Sequence, residues 1–281
     1  MNAPTRDGAS APAATPDERL VDVLGVQSRV SVLGDGPPLL YLHGANGPGW
    51  PPGLRALAER FTVYQPEHPG FGTSERPEHV ETAQDLALHY LDLIPSLGLR
   101  TVCLVGQSLG GWIAAEMATL CTHDLSRLVL MGAAGLLLPD EQGRVDLFAL
   151  NPEKVTRALF YDQALAERAL AVTPTPEDIH AAVRNRAMTA RLGWSPYMAN
   201  TALRTRLRRI RIPTLVVWGA QDALMPRTHA EAYRDAIPGA SLELIEACGH
   251  LPAVEQPAAF ARVVGDFLSA PLAAPVTAGA R

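Results

Sequence analysis

Residues 101–120 carry a strand straight into a helix across a tight turn, and this junction constrains the fold more than any other stretch of the 281-residue chain. Residues 102–105 form a short apolar run, the mark of a strand buried on both faces. Gly106-Gln107-Ser108-Leu109-Gly110 follows, a G-x-S-x-G. Residues 112–120 are then apolar almost throughout, with Glu116 their only charge, and predict a buried helix. Glycine suits positions 106 and 110 because larger side chains would collide where the chain doubles back. Ser108, at the apex, is expected in a strained conformation, its hydroxyl exposed at the sheet edge above the positive end of the helix.

The flanking sequence repeats the pattern. Residues 21–26 and 28–33 read as two strands joined by a tight turn near Gly25, and residues 39–42 as a third, buried strand. A short helix over 51–60 and a strand over 61–64 come next. Leu86, Tyr90, Leu93, Ile94 and Leu97 recur at helical spacing and predict an amphipathic helix over 82–97. Strands are expected at 127–131, 215–218 and 241–245, and Phe260, Val263, Val264, Phe267 and Leu268 mark a closing helix. Strands alternating with helices of this length imply parallel pairing through right-handed crossovers.

Residues 135–209 break the rhythm, with no convincing strand. Asn151-Pro152, Thr175-Pro176 and Ser195-Pro196 each set a capping side chain before a proline suited to the first helical position. Asp178 supports the second of these. Arginines 204, 206, 208, 209 and 211 are expected on a solvated helix face.

Composition removes several alternatives. Hydrophobic residues make up 47% of the chain, enough for a large core, and the formal net charge of -5 disfavours nucleic acid or an anionic membrane as a partner. Three cysteines follow no metal-ligand spacing. There is no G-x-x-x-x-G-K-[ST], no G-x-G-x-x-G after the first strand and no H-E-x-x-H, so no metal and no nucleotide cofactor is expected. Residues 1–17 lack the apolar stretch of a secretory signal, and no segment has the length to span a bilayer, which makes the cytoplasm the expected location. Tails at 1–17 and 271–281 are expected to be poorly ordered.

The junction at Ser108 resembles the nucleophile elbow of the α/β-hydrolases. Three further stretches resemble that family's motifs, in its order. His43-Gly44-Ala45-Asn46 is similar to the loop that supplies half of the oxyanion hole, which implies the backbone N–H groups of Ala45 and Leu109 as the donors. Gly219-Ala220-Gln221-Asp222 resembles the G-x-x-D loop of the triad acid, and Gly249-His250 the loop of the catalytic histidine. Asp140 competes for the acid role, because some members place it one strand earlier; the strand-loop context favours Asp222. Glu67-His68-Pro69-Gly70-Phe71-Gly72-Thr73-Ser74 resembles the family's D-x-P-G-F-G-x-S turn with Glu67 in the Asp position, a structural role, and His68 is expected to be a surface or packed histidine rather than an edge of the active site. The resemblance implies an α/β fold: a mostly parallel twisted sheet of about eight strands flanked by helices. Residues 18–134 and 210–270 would form the core and 135–209 a helical cap over the nucleophile. Gly44, Asn46 and Trp112 are the expected substrate contacts; apolar cap side chains such as Phe148, Phe160, Trp194 and Met198 are candidates for the pocket lining, most of them expected to hold the cap together.

A serine hydroxyl is a poor nucleophile near neutrality, so a base must take its proton as it attacks. A histidine with an ordinary pKa of roughly 6.5 suits that task, and a carboxylate on its other nitrogen fixes the tautomer. The expected activity is therefore hydrolysis of a carboxylic ester of a small, largely apolar molecule through an acyl-enzyme. Serine at the elbow distinguishes the chain from epoxide hydrolases and haloalkane dehalogenases, which use Asp there. The loop at 43–49 and the arginine-containing stretch at 184–194 are also similar to C–C bond hydrolases of ring-fission products. Those carry Trp directly after the catalytic histidine, where this chain has Leu251. Lactonase, thioesterase and cofactor-free haloperoxidase chemistry use the same three residues. Some proteins of this fold instead serve as small-molecule receptors without turnover.

Overall fold

Alternation along the strands sets the architecture. The computed structural model describes residues 14–139 and 145–271. Within them, eight strands form one sheet in the order β1-β2-β4-β3-β5-β6-β7-β8. These are β1 (Asp17–Val23), β2 (Val26–Leu33), β3 (Pro38–Leu42), β4 (Thr62–Pro66), β5 (Val102–Gln107), β6 (Leu125–Met131), β7 (Thr214–Gly219) and β8 (Ser241–Ile245). The pairs β1–β2 and β2–β4 are antiparallel, and every pair from β4 to β8 is parallel. The mostly parallel sheet expected from the sequence is therefore present.

Odd-numbered side chains of the central strands (Leu39, Tyr41, Cys103, Val105, Val129, Val217) pack on one face, beneath helices α1 (Pro52–Ala58) and α10 (Pro257–Ser269). Even-numbered ones (Leu40, Leu42, Leu104, Leu128, Leu130, Val216) pack on the other, against α2 (Ala83–Ser96), α3 (Leu109–Leu120) and α8 (Arg227–Ala236). Because successive strand side chains point to opposite faces, a continuous apolar run serves both layers. Helix α2 opens with a capping box in which the Thr82 hydroxyl accepts from Asp85 N–H and the Asp85 carboxylate accepts from Thr82 N–H.

The first strand begins at Asp17, four residues before the apolar pattern starts. Its polar residues pair through backbone with Val32, Ser31 and Val30, and an exposed edge strand needs no apolar alternation to do that. The hairpin turn falls at Leu24 and Gly25, both at positive φ, where the sequence places it. Helix α8 is not predicted from the sequence, because its buried face, His229, Ala230, Ala232 and Tyr233, carries no large aliphatic side chain.

Between β6 and β7 lie α4 (Pro152–Leu159), α5 (Gln163–Leu170), α6 (Pro176–Gly193) and the short α7 (Leu203–Arg206), which runs into a 3-10 turn at Leu207–Arg209. Asn151 caps α4, and the Thr175–Asp178 capping box opens α6, as the sequence predicts. The third expected helix start is corrected. Ser195-Pro196 sits in a turn with a cis peptide bond, closed by Met198 N–H donating to the Gly193 carbonyl. Asp162, with no proline after it, caps the helix that was missed, α5. Arg204, Arg208, Arg209 and Arg211 are exposed as expected, whereas Arg206 is half-buried. The two ends of this insertion meet: Gly135 N–H donates to Met198 O and Asn200 N–H to Gly135 O, both at 2.9 Å. Among the described residues no helix is long and apolar enough to cross a membrane.

Candidate active site

The carboxyl ends of the parallel strands bring distant loops together, as open α/β sheets do. Ser108 follows β5 directly and begins α3. Its backbone has φ 55° and ψ −114°, a conformation unusual for a residue with a side chain. Such a residue costs on the order of 1–3 kcal/mol and persists only where its surroundings hold it. Here they do: Ser108 N–H donates to Met131 O at 2.8 Å, and Ser108 O accepts from Trp112 and Ala134 N–H at 3.1 Å. A Cβ at Gly106 would lie 2.3 Å from Gly110 O, and one at Gly110 would lie 2.1 Å from Leu42 O. Neither position has room for a side chain, which is the reason the pattern at the turn is G-x-S-x-G.

Asp222 lies in the loop after β7 and His250 in the loop after β8. His250 Nδ1–H donates to Asp222 Oδ2 at 2.7 Å, and both side chains are 1% exposed. The other carboxylate oxygen, Oδ1, accepts the N–H groups of Leu224 and Met225, each at 2.9 Å. With its proton committed to Asp222, the ring presents Nε2 as a lone pair. That nitrogen is buried and has no hydrogen-bond partner. Ser108 and His250 line one cavity of about 410 Å3 with Gly44, Ala45 and Asn46. Leu109, the first residue of α3, follows Ser108 directly. Its amide belongs to the first helical turn, whose N–H groups lack intrahelical acceptors. The competing acid, Asp140, lies outside the described residues.

Beneath the 43–46 loop is a buried histidine network. His43 Nδ1–H donates to Gly44 O at 2.7 Å, and its Nε2 accepts His68 N–H at 3.0 Å. His68 Nε2–H donates to His43 O at 2.8 Å, and its Nδ1 accepts from the Tyr90 hydroxyl. These partners assign each ring one N–H and one acceptor, so both are neutral. Burial pushes His43 down to about 4 and holds His68 well below the ordinary histidine range, while the same burial holds the Tyr90 hydroxyl well above its usual range. His68 is thus packed, as expected, and braces the loop. Glu67 laces the neighbouring turn: its Oε1 accepts from Ser74 N–H and Oγ at 2.7 Å and from Thr73 N–H at 3.0 Å.

Trp112 is corrected as a substrate contact. It sits in the body of α3, 3% exposed, with its indole N–H donating to Glu116 Oε1, and it is not among the residues lining the cavity. Position 112 turns inward because α3 packs on the sheet. The wall is built instead from Gln107, Leu147, Val155, Leu159 and Leu251, and from Tyr41, whose hydroxyl donates to Gln107 Oε1 at 2.7 Å. Gln107 was legible as the residue before the serine; Val155 and Leu159 depend on how α4 folds back and left no local signal. A second chamber of about 340 Å3 shares Ala45, Asn46, Leu147, Val155 and Leu159, and adds Asn185 and Arg186 of α6. Asn185 holds the loops beside it, donating to Asn46 O at 2.9 Å and accepting Gly72 N–H at 2.7 Å. Arg186 donates to the carbonyls of Phe148 and Leu150. Of the insertion's expected pocket residues, Phe148 lines this chamber, Met198 is buried in the core and Trp194 is exposed. Among the described residues no group of three His, Cys, Asp or Glu could hold a metal ion.

Comparison with known proteins follows the same lines. A family model described as the alpha/beta hydrolase family matches residues 39–263. The 2-hydroxymuconate semialdehyde hydrolase of Pseudomonas sp. (strain CF600) is 30% identical, over 92% of this chain and 97% of that protein. The pimeloyl-[acyl-carrier protein] methyl ester esterase of Aromatoleum aromaticum is also 30% identical, over 83% of this chain and 98% of its own. Among solved structures, a serine hydrolase involved in carbazole degradation superposes with a TM-score of 0.72 at 25% identity, covering 91% of this chain and 99% of that one.

Proposed function

The chain belongs to the alpha/beta hydrolase family, and from that premise we propose that it hydrolyses a carboxylic ester of a small, largely apolar molecule through an acyl-enzyme on Ser108. The supporting observation is the committed tautomer of His250. With Nδ1–H given to Asp222 at 2.7 Å, Nε2 is left as a buried, unpartnered acceptor on a residue that lines the same cavity as Ser108. Ser108 Oγ attacks the ester carbonyl as Nε2 takes its proton. The Ala45 and Leu109 amides receive the developing oxyanion; removing one such donor typically costs about 10²–10³-fold in rate. His250 returns the proton to the departing alkoxide, then draws one from water as it attacks the acyl carbonyl, and gives that proton to Ser108 Oγ as the acid leaves. Among the described residues, the lining of the reacting chamber carries no ionisable group besides its two histidines other than the Tyr41 phenol, whose pKa burial raises. A lining of this kind suits a neutral substrate.

Cleavage of a C–C bond is the second reading, favoured by the 30% identity to a 2-hydroxymuconate semialdehyde hydrolase. The same serine would attack a ketone and the proton would go to carbon. One panel of substrates separates the two: a short p-nitrophenyl ester, a thioester, a lactone and a vinylogous diketone acid, each with wild type and Ser108→Ala. The proposal expects many turnovers on the ester, abolished by the substitution. Preference for the diketone acid supports the second reading, and a single stoichiometric burst on every substrate refutes both and indicates a receptor.

A further inference from the structure

The residue that joins the histidine loop to the inserted helices is Glu255, the last residue of α9 (Pro252–Glu255). Its Oε1 accepts Gly249 N–H at 2.7 Å. Its Oε2 accepts the N–H groups of Tyr161 at 2.8 Å and Asp162 at 3.0 Å, at the corner between α4 and α5. Alongside, His250 N–H donates to Leu159 O at 2.8 Å. Three hydrogen bonds therefore cross from residues 159–162 to residues 250 and 255, some 90 positions away in the chain, and a fourth ties Glu255 to Gly249. The seam is close: a Cβ at Gly249 would fall 2.6 Å from Tyr161 N, 2.8 Å from Leu159 O and 2.9 Å from Glu255 Oε1. Val155 and Leu159 on the inserted side of the seam line the same cavity as His250.

We propose that Glu255 is a positioning residue for the base: by accepting N–H groups from both sides, it fixes the His250 loop to the α4–α5 corner, so the imidazole reaches its working place only when the insertion is seated. The proposal rests on the reading of Ser108 and His250 above. Asp222 fixes the ring's tautomer and its rotation about one nitrogen. It does not fix the backbone that carries the ring: Gln221 and Gln256 hold Ala247 and Cys248, and the seam holds Gly249 and His250 themselves. Displacement of a reacting group by about 1 Å can cost on the order of 10²-fold in rate, so a side chain remote from the substrate can act strongly through the base.

Two substitutions perturb the seam from opposite sides. Glu255→Gln keeps the shape but leaves one accepting oxygen where two are used, so an N–H on one side meets an amide N–H. Gly249→Ala keeps both carboxylate oxygens but wedges the seam, its Cβ landing within 3 Å of Tyr161 N, Leu159 O and Glu255 Oε1. Both are assayed with a short p-nitrophenyl ester, with sites counted by fluorophosphonate titration so that kcat refers to folded protein, and with Ser108→Ala in parallel. The expected result is a kcat lower by about 10–100-fold, KM within about twofold of wild type, and a fluorophosphonate labelling rate that falls with kcat, because both need Nε2 in place. Wild-type kcat in both seam variants overturns the proposal, as does a raised KM with kcat kept, which would make Glu255 a support for the cavity wall alone. Turnover surviving in Ser108→Ala overturns the underlying reading instead.

Discussion

Replacing Asp222 by Asn alters one terminal group of the side chain and tests the tautomer argument directly. Asp222 Oδ1 already accepts two backbone N–H groups, from Leu224 and Met225 at 2.9 Å. An asparagine must keep its carbonyl oxygen there. Turned the other way, its NH₂ would oppose both donors and leave two N–H groups unsatisfied, at about 1–3 kcal/mol each. The NH₂ therefore faces His250 Nδ1, which in the native protein donates to this position at 2.7 Å. Nδ1 must then become an acceptor and the ring proton moves to Nε2. Nε2 can no longer take the proton from Ser108. A tautomer error of this kind in a Ser-His-Asp system costs about 10⁴ in kcat, or about 5.4 kcal/mol at 1.36 kcal/mol per decade. KM for a short ester should stay near wild type, since the cavity wall is unchanged. Steady-state hydrolysis of a p-nitrophenyl ester measures the loss, with sites titrated by fluorophosphonate in wild type. Retention of more than a tenth of wild-type kcat refutes the reasoning and returns attention to Asp140.

Three further outcomes are expected. Glu67→Ala removes an acceptor used by Thr73 and Ser74 and should cost about 3 kcal/mol, lowering Tm by roughly 6–12 °C in a thermal melt; a fall under 2 °C argues against the lacing role. Thr175→Ala breaks the capping box of α6 and should cost about 1 kcal/mol in chemical denaturation, while kcat on a short ester stays within twofold. Stability should fall on acidification from pH 6.5 towards about 4, because burial lowers both His43 and His89 to about 4. The folded rings stay neutral in that window while the unfolded chain takes up protons. The stability is therefore present above pH 6.5 and drains as pH falls, by at most about 3 kcal/mol per ring at 1.36 kcal/mol per unit. His89→Gln, which can keep a bond to Ser28 Oγ, should flatten the dependence of Tm on pH, and an unchanged slope counts against it.

The sheet was legible because its central strands are apolar on both faces, and α2 because apolar residues at helical spacing follow Thr82, which caps it. The Ser108 turn was legible because two glycines mark backbone contacts no other residue permits. What stayed hidden is set by partners far away in sequence. Ser195-Pro196 has the composition of a helix start, yet α6 already occupies the space before it and the chain reverses there. Trp112 follows the nucleophile closely in sequence, but helical rotation turns it inward onto Glu116. Glu255 looks like a surface acid before a proline, and its role exists only because residues 161 and 162 arrive from the insertion. Local pattern reveals elements and turns; it does not reveal which carboxylate meets which backbone amide.

Where the chain leaves Gly135 and where it returns at Asn200 are hydrogen-bonded neighbours. The described helices between them join the core through this doorway, and are tied to it again by Asn185 at the loops carrying residues 46 and 72 and by residues 161 and 162 at Glu255. Closing a loop on a fixed span costs only about 0.6 kcal/mol for each doubling of its length. Segments of very different size can therefore be grafted at this point without disturbing the elbow. Selection is left free to rewrite what the protein admits while the reacting atoms stay where they are. One condition follows any graft: the newcomer must still offer a pair of amides to Glu255.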